Sequence, residues 1–101
     1  MKDSYSTLPT QGELSMLLSK MNCDAKFQNC LRKIITPCAG QSLSSSAIAE
    51  KFKAVLEELM IDTTEGMRPY FRNRLCDVIG VIISQTDVAD ECKMIFAQLS
   101  S

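Results

Sequence analysis

The five cysteines are the residues of this chain with the widest chemical range, since a thiolate can attack an electrophile or bind a metal ion. They are spread along the sequence as Cys23, Cys30, Cys38, Cys76 and Cys92. Zinc sites are usually built from closely spaced Cys or His pairs, and this chain has neither a C-x-x-C motif nor any histidine. The spacing therefore does not favour a metal site, and we expect no cofactor.

Cys76 is the cysteine with the best prospect of reactivity. The helical pattern places it toward a polar side, close to Arg72, and a neighbouring cation would lower its pKa. A cysteine nucleophile also needs a base, and without histidine neither a Cys–His pair nor a Ser–His–Asp set is possible. We therefore expect Cys76 to be a structural residue.

Acidic residues and glycines give no sign of an active site. Two carboxylate pairs, Glu57 with Glu58 and Asp90 with Glu91, are adjacent in sequence. Neighbours on a helix point to different faces, so neither pair forms an acid–base site. The four glycines are isolated, and no phosphate-binding loop is present. The sequence thus predicts a protein that is not an enzyme.

An arginine cluster surrounds Tyr70 near the start of the longest apolar stretch. Arg68 and Arg72 are one helical turn apart and share a face, whereas Arg74 projects on the other flank. Such a cluster can contact an acidic peptide or a phosphate, or it can pair with nearby carboxylates of the same chain.

Basic residues also define an alternative function, a nucleic-acid-binding helical subunit. Its phosphate contacts would be Arg32, Lys33, Arg68, Arg72 and Arg74. However, 11 basic and 12 acidic residues give a net charge of −1. Because this balance provides no attraction to a polyanion, nucleic acid is the less favoured partner.

Two methionines, Met16 and Met94, fall off the apolar stripes of their helices. Exposed methionines are typical of adaptable binding surfaces. Together with the arginine cluster, they define the candidate protein-binding residues, which are Met16, Arg68, Tyr70, Arg72 and Met94.

Apolar residues recur with the period of an α-helix throughout the chain, and no strand-like alternation is present. We predict a flexible tail over residues 1–9 and one helical domain over residues 10–101. Capping residues mark the predicted helix starts, namely Thr10 with Glu13, Asp24 and one of the serines 44–46. The predicted helices are approximately 10–22, 24–36, 45–61, 68–85 and 87–99.

These elements predict an all-α fold, a compact bundle of about five short helices. The short loops favour antiparallel neighbours. Helix 68–85 is apolar over more than half of its circumference, so we place it at the centre of the bundle. Five short helices would not fully cover such a helix, which would leave an apolar surface for a partner.

The run RPYFRNRLCDVIGVII, residues 68–83, resembles the second helix of a HEAT-type repeat, in which a proline and an arginine precede an apolar face. The resemblance covers one helix, and no second copy of the motif follows. It implies an alternative architecture of stacked helical hairpins.

The compartment is predicted from what the sequence lacks. The polar N-terminus has no apolar segment of a secretory signal, and the longest apolar run is far shorter than the roughly 20 residues of a membrane span. An odd number of cysteines without an export signal is typical of reduced thiols. We therefore expect a cytoplasmic protein without a membrane span.

A helical bundle with mixed surface charge and no catalytic set favours a role in binding. We expect a small non-catalytic adaptor or subunit that receives a partner helix in a groove or on an apolar patch. The partner would be another protein or a second copy of the chain, as in a homodimer.

Overall fold

The computed structural model describes residues 4–100, which form an all-α bundle as the sequence predicted. Within these residues the elements, in chain order, are β1 (Tyr5–Thr7), α1 (Gln11–Lys20), α2 (Ala25–Ile35), β2 (Ser42–Ser44), α3 (Ser45–Leu59), α4 (Arg68–Ile82) and α5 (Thr86–Leu99). Short 3-10 turns follow α2 and α3 and precede α4.

Three helices begin at the predicted capping residues. The amide of Glu13 donates to Oγ1 of Thr10 at 3.3 Å, and the Glu13 carboxylate accepts from the Thr10 amide at 3.4 Å. Asp24 and Ser44 each accept from an amide in the first turn of the following helix. These bonds satisfy donors that a helix start would otherwise leave unpaired, which is why the predicted starts are accurate.

The core is centred on α3 and not on α4, which corrects the sequence prediction. α3 buries residues along its full length, and it packs against α2, α4 and α5. In α4 the buried side chains lie only in the second half, as Leu75, Val78, Ile79 and Ile82. The first two turns of α4 carry arginines and Tyr70, which favour solvent, so this helix contributes one end to the core.

The helix predicted over residues 68–85 ends earlier, at Ile82. Ile83 has an extended backbone, yet its side chain is buried at 2% exposure. Gln85 is also extended and precedes the first turn of α5. Residues 83–85 therefore separate α4 from α5, as the change in the apolar stripe predicted.

The segment before α1, predicted as a flexible tail, contains a short strand. β1 pairs with β2 in a two-stranded antiparallel ribbon in which Ser6 lies opposite Leu43. Leu8 follows the strand and is only 1% exposed. Burial of this leucine and the ribbon hydrogen bonds order residues 4–9. Residues 1–3 of the predicted tail lie outside the described residues.

Among residues 4–100, no helix combines the length and the apolar character required to cross a membrane.

Candidate functional site

A cleft of about 380 Å³ opens between α3, α4 and the end of α5. We call it the cationic cleft. Its walls are formed by Lys53, Leu56, Glu57 and Met60 from α3 and the turn after it, by Arg68 and Arg72 from α4, and by Leu99 and Ser100 from the end of α5. The arginine pair predicted to share a face therefore lies in one concave site.

Local geometry explains why these residues meet. Positions 53, 56, 57 and 60 follow helical spacing, so they share one face of α3. The chain then reverses through two short 3-10 turns, Met60–Asp62 and Glu65–Met67. Pro69 lies in the first turn of α4, where a proline is tolerated. This start position directs Arg68 and Arg72 toward the end of α3.

The floor of the cleft is apolar and its rim is charged. Leu56 is 8% exposed, and Met60 and Leu99 are partly buried against the core. Lys53 pairs with Glu57 across one helical turn at 3.7 Å. Exposed pairs of this kind contribute little stability, so both groups remain available to a ligand.

Arg68 and Arg72 provide most of the positive charge of the cleft. Nη1 of Arg72 donates to the backbone carbonyl of Ser100 at 3.5 Å, a long hydrogen bond. Within residues 4–100, no carboxylate forms an ion pair with Arg68. Among the described residues that line this site, three cations face one carboxylate, so the site favours an anionic group above an apolar one.

Tyr70 lies away from the cationic cleft. Its ring is 56% exposed and meets Phe71 edge to face, with 5.4 Å between ring centroids. It borders a small cavity of about 40 Å³ together with the turn between α1 and α2. The structure therefore separates Tyr70 from the two arginines with which the sequence grouped it.

Arg74 is occupied by contacts within the protein. Its guanidinium donates to the carbonyl of Met21 at the end of α1 and lies 3.9 Å from the carboxylate of Asp77. A cation at a helix C-terminus is favourable because the last carbonyls there have no helical donor. Arg74 thus links α4 to α1.

Arg32 and Lys33 also have partners within the protein. Arg32 donates to Oε1 of Gln28 at 2.9 Å, and Nζ of Lys33 donates to Oε1 of Glu58 at 2.8 Å. The Glu58 carboxylate raises the pKa of Lys33 through this bond. The five basic residues of the nucleic-acid hypothesis are therefore divided among separate sites.

Met16 and Met94 are exposed, at 62% and 65%, in agreement with their positions off the apolar stripes. They lie on different helices, α1 and α5. Met94 and Ile95 border a groove of about 680 Å³ along α5 and the start of α3, together with Asp87, Asp90 and Glu91. We call these five residues the acidic strip.

The pKa of the Cys76 thiol is raised, whereas the nearby Arg72 had suggested a lowered one. Burial raises the pKa of its thiol, and the nearby cations Lys93 and Arg72 offset this effect only in part. Burial also raises the pKa of Cys30 and of Cys92. Since a raised pKa reduces the thiolate fraction near neutral pH, Cys76 is not the activated nucleophile that its arginine neighbour suggested.

Metal ligands are not grouped in the described part of the chain. No set of three or more Cys, Asp or Glu residues there could hold a metal ion.

Comparison with known proteins adds no family. No family model matches the chain, and neither a curated protein nor a solved structure matches it.

The sequence interpretation missed the α3 side of the cleft and the acidic strip. In the sequence, nothing distinguishes Lys53, Leu56 and Met60 from other positions of a helix. They become part of a site only because α4 packs beside them. The acidic strip had a local signal, because three of its residues, at positions 87, 91 and 94, recur on one face of a helix. In the sequence, Asp90 and Glu91 indicated only an adjacent carboxylate pair, and Met94 was grouped with Met16 and the arginine cluster and not with these carboxylates.

Proposed function

We propose that this protein is a non-catalytic helical adaptor that binds another protein chain through the cationic cleft. The bound segment would be an amphipathic helix with apolar residues along one face and carboxylates beside them. The same hypothesis predicts a cytoplasmic location.

The arrangement of the cleft is the observation that carries this proposal. An apolar floor of Leu56, Met60 and Leu99 lies between cations on opposite walls. An apolar side chain would displace water from the floor, while a carboxylate would form charge-assisted hydrogen bonds with Arg68 and Arg72. Arginine can bind a carboxylate in two-point geometry, which fixes the direction of the partner.

Nucleic-acid binding remains the alternative, with weaker support. Of its five basic residues, Arg32, Lys33 and Arg74 have protein partners. The remaining two, with Lys53, surround an apolar floor that a phosphate backbone would not use.

A synthetic peptide tests the proposal. Its sequence would carry Leu at helical positions i, i+3, i+4 and i+7 with Glu beside them, and its affinity would be measured by fluorescence anisotropy. We expect the double variant Arg68→Glu, Arg72→Glu to weaken binding by at least about tenfold, because it replaces two attractions with repulsions. A peptide with Lys in place of Glu should not bind the native protein.

Lys20→Glu is the matched control, since it reverses an exposed cation on α1 outside the cleft. It should leave peptide affinity unchanged. Equal affinity of the native protein for the Glu and Lys peptides would refute the cleft as the binding site. So would an equal loss of peptide affinity in the Lys20→Glu variant and in the Arg68→Glu, Arg72→Glu variant. Preferential binding of a DNA or RNA strand, lost on Arg68→Glu, would favour the alternative function.

A further inference from the structure

The acidic strip on α5 has the features that the cationic cleft requires of a partner. Asp87, Asp90 and Glu91 provide carboxylates at one end, and Met94 and Ile95 provide apolar side chains at the other. Asp87 and Asp90 are exposed, and Met94 is 65% exposed. The strip belongs to a preformed helix, so binding would not require a segment to fold.

The charges of the two surfaces are opposite. Among the described residues that line the cleft, Lys53, Arg68 and Arg72 outnumber the one carboxylate, that of Glu57. The strip contains three carboxylates and no cation. Its Glu91 accepts a hydrogen bond from the Ser4 amide at 3.4 Å. Asp87 and Asp90 form no ion pair with any cation of residues 4–100, so we assign these two exposed carboxylates to the arginines.

The overall charge of the chain does not oppose self-association. Two copies with a net charge of −1 repel one another only weakly, while the local patches attract. Patches of opposite charge on a nearly neutral surface orient two copies so that the acidic strip of one faces the cationic cleft of the other.

We propose that the occupant of the cationic cleft is the acidic strip of a second copy of this chain. This inference rests on the proposed function, because it identifies the partner of the same site. The contact joins two different surfaces of the protein. If two copies exchange strips reciprocally they form a closed dimer, and if they do not they extend into a chain or a ring.

Light scattering coupled to size exclusion tests the inference, over a range of protein concentrations. We expect the mass of the native protein to rise with concentration. Two variants should each associate at least about tenfold more weakly: the cleft variant Arg68→Glu, Arg72→Glu, and the strip variant Asp87→Lys, Asp90→Lys.

Mixing these two variants gives the sharpest result. The cleft variant retains a native strip, and the strip variant retains a native cleft, so an equimolar mixture should form mixed complexes at concentrations at which each variant alone associates only weakly. A protein with all four reversals should associate again, because both signs have changed. Circular dichroism establishes that each variant is folded, and Met94→Ala is a milder change that should also weaken association.

Three results would overturn the inference: a native protein that remains monomeric to about 100 µM, association unaffected by either variant, or a mixture that stays monomeric. The peptide experiment separates the two proposals. A monomeric protein that still binds the Glu peptide in the cleft would refute self-association and leave the adaptor function intact. A monomeric protein that binds no peptide would refute both.

Discussion

Ser45 is the one polar residue that the protein buries fully within residues 4–100. Its hydroxyl donates to the carbonyl of Ser4 at 3.0 Å, and its amide donates to the same oxygen at 2.7 Å. Its own carbonyl accepts from the Cys92 thiol at 3.6 Å. Through its hydroxyl and its backbone, this one residue connects the segment before β1, the start of α3 and the core face of α5.

Replacing Ser45 with alanine should lower the free energy of unfolding by about 1 kcal/mol, because one buried hydrogen bond is lost. The Ser4 carbonyl would keep its bond to the residue 45 amide, which limits the cost. Urea denaturation followed by circular dichroism measures the change. Ser46→Ala is the matched control on the adjacent, partly exposed position and should stay within about 0.5 kcal/mol of the native protein. Equal losses for both serines would show that the buried bond contributes nothing specific.

At the level of residues, the sequence identified chemistry that is local. Arg68 and Arg72 share a face because they are one turn apart, and this was predictable. The contact of Arg74 with Met21 was not, because the two residues are 53 positions apart and meet only in the folded chain. The pKa of Cys76 was mispredicted for the same reason, since its burial depends on the packing of α5.

At the level of elements, the contact between α4 and α5 contains an unusual position, Gly80. A Cβ atom built there would lie 3.0 Å from Nζ and 3.3 Å from Cε of Lys93. The glycine is otherwise a normal helical residue that faces solvent. The space above it is therefore filled by the flexible end of a lysine and not by backbone.

Gly80→Ala should raise the free energy of unfolding by roughly 0.5–1 kcal/mol, because alanine has the higher helix propensity and Lys93 can move aside. Thermal and urea unfolding of the variant would measure this gain. A loss of stability would show that the Lys93 position is fixed and that the helix crossing needs the glycine.

Gly40→Ala provides a contrasting control of the same chemical size. Gly40 has a φ angle of +76° and nothing within 4 Å of its missing Cβ, so it is constrained by backbone conformation alone. Alanine in that left-handed region should cost about 1–2 kcal/mol.

Helices were predictable as elements because each has several turns of apolar period and most begin at a capping residue. The ribbon was not. β1 and β2 contain three residues each, too few to display an alternating pattern, and α1 and α2 separate them in the sequence. Leu8 gave the only usable signal, an apolar residue within a polar segment.

At the level of the whole molecule, three thiols link stability to alkaline pH. Cys30, Cys76 and Cys92 contact the common core and have pKa values raised above 9.0 by burial. In the unfolded chain these thiols lose their protons at lower pH than in the folded protein. Their protonated forms therefore stabilise the fold below pH 9, and this contribution declines as pH rises through the folded pKa values.

The free energy of unfolding should accordingly decrease as the pH rises above about 9, measured by urea denaturation in steps from pH 7 to 10.5. Lys33 acts in the same direction, since its ion pair with Glu58 is lost when the amine deprotonates. Cys76→Ala should reduce the slope with which the free energy of unfolding falls above pH 9, because one of the three thiols with raised pKa values is removed. A slope that is unchanged in this variant would assign the effect to other groups.

The packing order of the helices was beyond the sequence. An apolar circumference suggested α4 as the central helix, yet α3 occupies that position because its buried residues extend over its whole length. The predicted apolar surplus of α4 is small: Val81 is 42% exposed, but Ile79 and Ile83 are buried. The walls of the cationic cleft depend on this packing order and could not be assembled in advance.

The ribbon also sets an order of events during synthesis of the chain. Ser4 and Ser45 are bonded to each other but are 41 positions apart, whereas each helix needs only nearby residues. At typical elongation rates of 5–20 residues per second, the early strand waits about 2–8 s for its partner to be made. During that interval Leu8 has no core to enter, so we expect this early segment to dock only after β2 has been made and to be accessible to nascent-chain partners until then.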